Sequence, residues 1–314
     1  MLRLFSALAK TFNNEFEVLF LIGQDNLKFK KKNEFIIYIG SHGDVGAESA
    51  DILIAVTSSD EINIVACQIA SSLFNTQTKI ARIRASEYTE RPELFLNNGL
   101  EVDFTISPED LITDYIIEVI DHPGAFQVLD FADGKIRMVG VKTKPQGFLV
   151  DNPISSLHGH LGNEKVRIAA IYRDGEMIAP EGETVIKAGD EVYFIAAPED
   201  IDHMITEFNQ DQEKATNIVI AGGGRIGLKL ASKLEENNSV KIIEKSTARA
   251  KILAEQLDTA IVLKGDSSDD ALLKEENIEN NDVFVATTNS EEANILSAMV
   301  AKKMGSKKVM ALIN

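Results

Sequence analysis

The stretch NIVIAGGGRIGLKLASKLEENNSVKIIEKS, from Asn217 to Ser246, constrains the fold more than any other part of this chain. Asn217–Ala221 is a short β-branched run of the kind that forms a buried parallel strand. It runs into G-x-G-x-x-G at Gly222, Gly224 and Gly227, then a helically spaced segment, then a second strand closing on Glu244. Each part has a physical task. Gly222 permits a tight turn, Gly224 lets the backbone approach a pyrophosphate, and Gly227 lets helix and strand pack closely. The free N–H groups and positive dipole end of the following helix then face the phosphates. Glu244, 17 residues after Gly227, is placed to accept hydrogen bonds from the adenosine ribose hydroxyls. An acid there favours NAD over NADP, because it repels a 2′-phosphate. Glycines alone also serve plain connectors; strand, glycines, helix, strand and terminal acid in that order point to a nucleotide.

The pattern continues. AIVLKGDSSD predicts a third strand ending at Gly265-Asp266, and DVFVATTNSEEANILSAMVAKKMG a fourth strand with its helix. KKVMALIN opens a fifth strand. Strands alternating with helices specify an α/β fold with a doubly wound, Rossmann-like parallel sheet. Ligands bind beyond the carboxyl ends of such strands, where Asp266, Thr288 and Asn289 are expected to stand. Asp266 would reach the adenine side, and Thr288 and Asn289 the bridging ribose or phosphate. The plainer reading makes Asp266 and Asn289 caps and turn formers.

An internal repeat explains why the glycine motif comes so late. DILIAVTSSDEINIVA (Asp51–Ala66) aligns without gaps to DVFVATTNSEEANILS (Asp282–Ser297), with seven of sixteen positions identical, including Thr57/Thr288, Glu61/Glu292 and Asn63/Asn294. LAKTFNNEFEV (Leu8–Val18) resembles LASKLEENNSV (Leu230–Val240). Two nucleotide-type domains are therefore expected. Extending the match backwards puts the counterpart of Gly222 before Met1, so the first domain is expected to be incomplete, without opening strand or glycine loop. Its second strand, EVLFLIG, ends in Gly23 instead of an acid. Glu61 and Glu292 are expected to start helices, where an acid favours the helix dipole.

Between the repeats the texture changes. GAFQVLDFADGKIRMVGVKTKPQGFLV carries strand-like runs punctuated by Asp133-Gly134 and Pro145-Gln146-Gly147. VRIAAIYRDGEMIAPEGETVIKAGDEVYFIAAPEDIDHMITEF adds a hairpin at Arg173-Asp174-Gly175, a further strand and a closing helix. The expected organisation is an incomplete Rossmann-like domain over 1–123 and a small α+β module over 124–208. A polar linker at 209–216 leads to a second Rossmann-like domain over 217–314.

Composition narrows the partners. With 32 basic against 49 acidic residues the formal charge is -17, which argues against duplex nucleic acid and against adhesion to anionic lipid. A single cysteine, Cys67, excludes an internal disulfide framework and suits a reducing compartment. Within NIVACQIASSLF it reads as a small buried apolar residue. Apolar runs are a few residues long, against the roughly 20 a spanning helix needs, so no direct membrane insertion is expected. MLRLFSALAKTF is interrupted by Ser6, Lys10 and Thr11 and reads as an amphipathic helix rather than a signal peptide. His158 and His160 lack a third ligand at suitable spacing, so no metal site is expected. No nucleophile elbow or acid–base constellation appears, and Glu235-Glu236, Glu275-Glu276 and Glu291-Glu292 read as solvated helix faces or starts.

Half-domain, small strand-rich module, half-domain again is the layout of the Trk-type bacterial potassium-uptake regulators, the TrkA family. The chain resembles that family through ILIAVTSSDEINIVACQIASSLFNTQTKIARIR, HPGAFQVLDFADGKI, VRIAAIYRDGEMIAPEGETVIKAGDEVYFIAA and IVIAGGGRIG. The resemblance implies a cytoplasmic, self-associating regulator, peripheral on the inner face of the plasma membrane, that docks on a membrane potassium translocator. It implies binding of NAD(H) or of ATP/ADP, and gating of transport without chemistry. Carried over by position, the intact site is Gly222, Gly223, Gly224, Arg225, Ile226 and Glu244, with Thr288 and Asn289. Of the family's first site only Thr57, Ser58 and Arg82 remain, Arg82 being equally readable as an interface charge. An NAD-dependent oxidoreductase and a non-functional fragment of the regulator stay open as alternatives.

Overall fold

The computed structural model describes residues 18–21, 29–30, 50–89, 91–95, 99–132, 134–156, 165–209 and 213–313. The amphipathic helix expected at Met1–Phe12 and the pair His158/His160 lie outside them. The chain divides into two compact units, Met1–Leu111 and Ile112–Asn314.

In the first unit the elements are β1 (Val18–Leu21), β2 (Phe29–Lys30), β3 (Ile52–Ala55), α1 (Asp60–Phe74), β4 (Thr78–Arg82), α2 (Ser86–Thr89) and β5 (Phe104–Ile106). The sheet order is β2-β1-β3-β4-β5, parallel except for the β1–β2 pair. β1, the strand read as second in its domain, lies directly beside β3, with Val18 opposite Ile52 and Leu21 opposite Ala55. It takes the position a first strand fills in the other half.

Helix α1 begins where Ser59 Oγ accepts from the Ile62 N–H (3.2 Å), with Asp60 and Glu61 in its first turn, as expected for an acid at a helix start. It ends at Asn75 in the left-handed region (φ 52°). Its inner face joins Leu53, Ala55, Ala81 and Ile83 through Ile64, Ala66, Cys67 and Ala70. Cys67 is fully buried, and that burial pushes its thiol up to about 12. The thiolate is the reactive form. Iodoacetamide at about pH 8, below the ordinary thiol range, should therefore leave Cys67 unmodified in the folded chain. It should alkylate the residue quickly in denaturant, and mass spectrometry of the two samples checks this.

The second unit holds two sheets. Helix α3 (Pro108–Asp121) enters it at Ile112. The small module comprises β6 (Ala125–Phe131), β7 (Ile136–Lys142), β8 (Arg167–Arg173), β9 (Glu176–Ile178), β10 (Glu191–Ala196) and α4 (Ile201–Phe208), in the antiparallel order β6-β7-β10-β8-β9. VRIAAIY and DEVYFIAA are strands, as read from their alternation. The core is Val139, Val141, Ile171, Val192 and Phe194 under Met204 and Phe208, with the Phe194 and Phe208 rings stacked at 5.8 Å. Arg173 closes the β8–β10 end by donating from Nε and Nη2 to both oxygens of buried Asp190 (2.8 and 2.7 Å).

The second sheet comprises β11 (Asn217–Ala221), α5 (Arg225–Leu234), β12 (Ser239–Glu244), α6 (Thr247–Gln256), β13 (Ile261–Lys264), α7 (Asp270–Glu275), β14 (Val283–Ala286), α8 (Glu291–Met304) and β15 (Lys308–Ala311). All five strands are parallel in the order β13-β12-β11-β14-β15, the doubly wound arrangement. Strands β11, after Asn217, and β14 are buried along their length because helices cover both faces. Ile116 and Ile120 of α3 pack into the same core as Ile218, Ile220, Leu230 and Leu234. Two carboxylates read as solvated are engaged instead. Glu235 accepts from the Asp258, Thr259 and Ala260 N–H groups (3.2, 2.8 and 2.8 Å), and Glu276 pairs with Lys241 at 2.7 Å. Neither partner is close in sequence, so local pattern gives no sign of these bonds. Among the described residues no helix is long and apolar enough to cross a membrane.

Candidate functional site

At the carboxyl ends of β11, β12, β13 and β14 lies an open cavity of about 550 Å³. Gly222, Gly223 and Gly224 line it, as do Glu244, Asp266, Thr288 and Asn289. The structure thus brings seven of the sequence-predicted residues together. Arg225, Ile226 and Gly227 form the first turn of α5 immediately behind.

The glycine turn is dictated at two positions. Gly222 has φ +103°, and a Cβ there would stand 2.9 Å from Thr288 N. A Cβ on Gly227 would overlap the Gly222 carbonyl oxygen, so α5 reaches β11 only because that atom is missing. Gly224 is different: its conformation is ordinary (φ -67°, ψ -167°) and a Cβ would meet nothing within 4 Å. The room in front of it is therefore cavity, the condition for a ligand to approach the backbone.

Helix α5 receives no side-chain cap from its N-cap Gly224, whereas Ser246, Asp269 and Ser290 cap the neighbouring helices α6, α7 and α8. A helix start without such a cap is the arrangement in which backbone N–H groups can receive an anion. These features fit a pyrophosphate: a turn without side chains, an uncapped helix end and a carboxylate at the next strand end.

Glu244 already works on the turn. Its Oε2 accepts from the Gly223 N–H (2.9 Å) and its Oε1 from the Ser246 N–H (2.6 Å). Each oxygen keeps a lone pair for a ribose hydroxyl. Arg249, which sequence reasoning did not single out, donates from Nε to the Gly223 carbonyl (2.7 Å) and lines the same cavity. Asp266 pairs with Lys245 at 2.9 Å and accepts from the Ser268 hydroxyl at 2.7 Å. These two contacts, Lys245 first, hold its carboxyl below the usual carboxylate range.

Thr288 is engaged by its own scaffold. The buried carboxamide of Asn294 accepts from Thr288 N–H (2.8 Å) and Oγ1 (2.6 Å), and donates to the carbonyls of Thr288 (3.0 Å) and Leu312 (2.9 Å). It ties the loop after β14 to the end of β15. The first half repeats the device. Asn63 accepts from Thr57 N–H (2.8 Å) and Oγ1 (2.7 Å) and donates to the carbonyls of Thr57 (3.3 Å) and Arg82 (2.8 Å). Arg82 donates to the Thr57 carbonyl, and Thr57 itself is 2% exposed while Ser58 is exposed. The identity of Asn63 and Asn294 within the repeat was the visible signal of this clamp.

Comparison with known proteins follows the same lines. The TrkA-N domain matches residues 43–108 and 218–314, and the TrkA-C domain matches 139–209. The chain belongs to the TrkA family. The Trk system potassium uptake protein TrkA of Vibrio alginolyticus is 49% identical over 278 residues, covering 87% of this chain and 61% of that protein. The protein of the same name from Halomonas elongata is 48% identical over 269 residues, covering 86% and 59%. The chain therefore spans about three-fifths of the length of these TrkA relatives. Among solved structures, the GsuK RCK domain superposes with a TM-score of 0.55 at 18% identity, over 84% of this chain and 60% of that one. The GsuK channel bound to NAD gives 0.54 at 17% identity, over 84% and 49%. At such identities these two show a shared fold.

Asn294→Ala should remove the clamp and leave the Thr288 N–H and the Leu312 carbonyl without partners. A loss of about 2–4 kcal/mol is expected, the scale of a buried polar network broken on one side. Urea denaturation of the second-half transition, with Asn63→Ala in parallel, measures it.

Proposed function

We propose that this chain is the nucleotide-binding part of a regulator of Trk-type potassium uptake, gating a membrane translocator without chemistry of its own. Membership of the TrkA family and 49% identity to a Trk system potassium uptake protein support the reading. The observation that carries the binding function is the uncapped start of α5 behind a glycine turn whose open side faces a cavity.

In this reading the Gly222, Gly223 and Gly224 backbone and the N–H groups of Arg225, Ile226 and Gly227 hold a pyrophosphate. Glu244 accepts from the adenosine ribose, Asn289 and the Thr288 loop close the far wall, and Asp266 borders the adenine side. NAD(H) is the ligand that Glu244 favours; ATP or ADP would use the same turn. Thr57, Ser58 and Arg82 stand at the corresponding place in the first half. The domain limits that go with this reading are 1–123, 124–208, 209–216 and 217–314, with the end of α3 packed into the last of them. The formal charge of -17 suits docking on a protein rather than on anionic lipid, at the cytoplasmic face of the membrane. Copies of the chain are expected to assemble around the translocator.

Calorimetric titration with NADH tests the reading. One site per chain is expected. Gly224→Val should abolish binding by filling the space in front of the turn, and Glu244→Ala should weaken it by about 1–3 kcal/mol, the scale of a hydrogen bond to a charged group. Arg82→Ala should leave it unchanged. Two comparable sites, or a binding-competent Gly224→Val chain, would assign the ligand to the wrong half. Oxidation of the NADH with any of a panel of carbonyl substrates would favour the oxidoreductase.

A further inference from the structure

A second cavity, about 990 Å³, opens at the opposite end of the same sheet, between the starts of β14 and β15 and the small module. It is the reverse of the chain in charge. Lys142, Lys144, Lys307 and Lys308 line it against the two carboxylates of Asp282 and Glu213. Those carboxylates are already taken: Lys307 pairs with Asp282 at 2.9 Å and with Glu213 at 3.4 Å, and Asp282 also accepts from the Thr216 and Asn217 N–H groups (2.9 Å each). Three ammonium groups are left over. Lys142 and Lys144 have no carboxylate partner among the described residues. Lys308 is held only by neutral groups, donating to the carbonyls of Val119 and Ala125 at 3.0 Å each.

A buried amide belongs to a residue in the wall of the same space. Asn209, 3% exposed, caps α4 through its backbone N–H, while its side-chain Oδ1 has no hydrogen-bond partner. A buried carbonyl oxygen without a donor, and a half-buried ammonium without an anion, are each unfavourable as they stand. One kind of ligand relieves both: an anion whose acceptor oxygens take the lysines and whose own O–H donates to the amide. Hydrogen phosphate has that pair of features.

We propose that this cavity is a second binding site, for a small phosphate-bearing metabolite held by Lys142, Lys144, Lys308 and Asn209. The state of Lys308 agrees with it, since burial lowers its ammonium to about 8, and an anion beside it would oppose that lowering. The site is separate from the glycine turn but joined to it by β14. Asp282 stands before that strand, and Thr287 and Thr288 follow it within reach of Gly222.

Inorganic phosphate is the probe, and the full chain carrying Gly224→Val is the protein, so that phosphate at the glycine turn does not enter the result. Reductive methylation is followed at each lysine by peptide mass spectrometry in phosphate-free buffer and with phosphate added. Methylation of Lys308 is expected to slow several-fold with phosphate, while Lys233, paired with Asp114 on the surface, is unaffected. The exposed double substitution Lys142→Glu/Lys144→Glu should raise the phosphate concentration needed by roughly tenfold or more, the equivalent of one lost charge-assisted hydrogen bond. Equal Lys308 rates with and without phosphate would overturn the proposal. So would protection that the double substitution leaves intact. NADH binding to the unmodified chain stays a separate measurement, so failure here does not bear on the glycine-turn site.

Discussion

The nucleotide end of this molecule rests on the approach of α5 to β11, where the Gly222 carbonyl lies in the space that a side chain on residue 227 would need. From that contact the rest follows in order. The helix start falls directly behind the turn, Gly222 takes up its positive φ against Thr288, and the Gly223 N–H points at the Glu244 carboxylate (2.9 Å). Arg249 then closes on the Gly223 carbonyl from α6. The geometry of the turn is therefore produced by packing and hydrogen bonds within the chain itself.

The far wall is fixed by a different means. Asn294 holds the Thr288 loop through four hydrogen bonds, two accepted and two donated, and it reaches from one strand end to the next. A single buried carboxamide with all four positions satisfied is strongly directional, because any slip leaves several groups unpaired at once. The same carboxamide, on the same loop, serves the first half as Asn63.

Much of this could be read before any coordinates. The strand, glycine, helix and acid order of 217–246, and the gapless match of 51–66 to 282–297, are local or periodic signals, and both parallel sheets follow from them. The hairpin at Asp174-Gly175 announced the antiparallel module in the same way. What escaped was long-range and polar. Glu235 looked like a solvated helix residue, and its three backbone donors come from 23 to 25 positions later. Arg249 carried no signal of its own, and its acceptor is 26 positions earlier. Asn294 was visible as a repeated residue, but its bonds to Thr288 and Leu312 belong to the folded loop. The direct pairing of β1 with β3 is tertiary and has no counterpart in local pattern.

The doubled clamp separates rigidity from openness. Loop rigidity after the fourth strand is supplied by an asparagine on the helix, and the open turn by glycines on another strand, so the two features can vary separately. Among the described residues the clamp stands in both halves, and the glycine turn accompanies only the second. A clamp of this kind keeps its loop in one shape independently of what the glycine turn beside it holds.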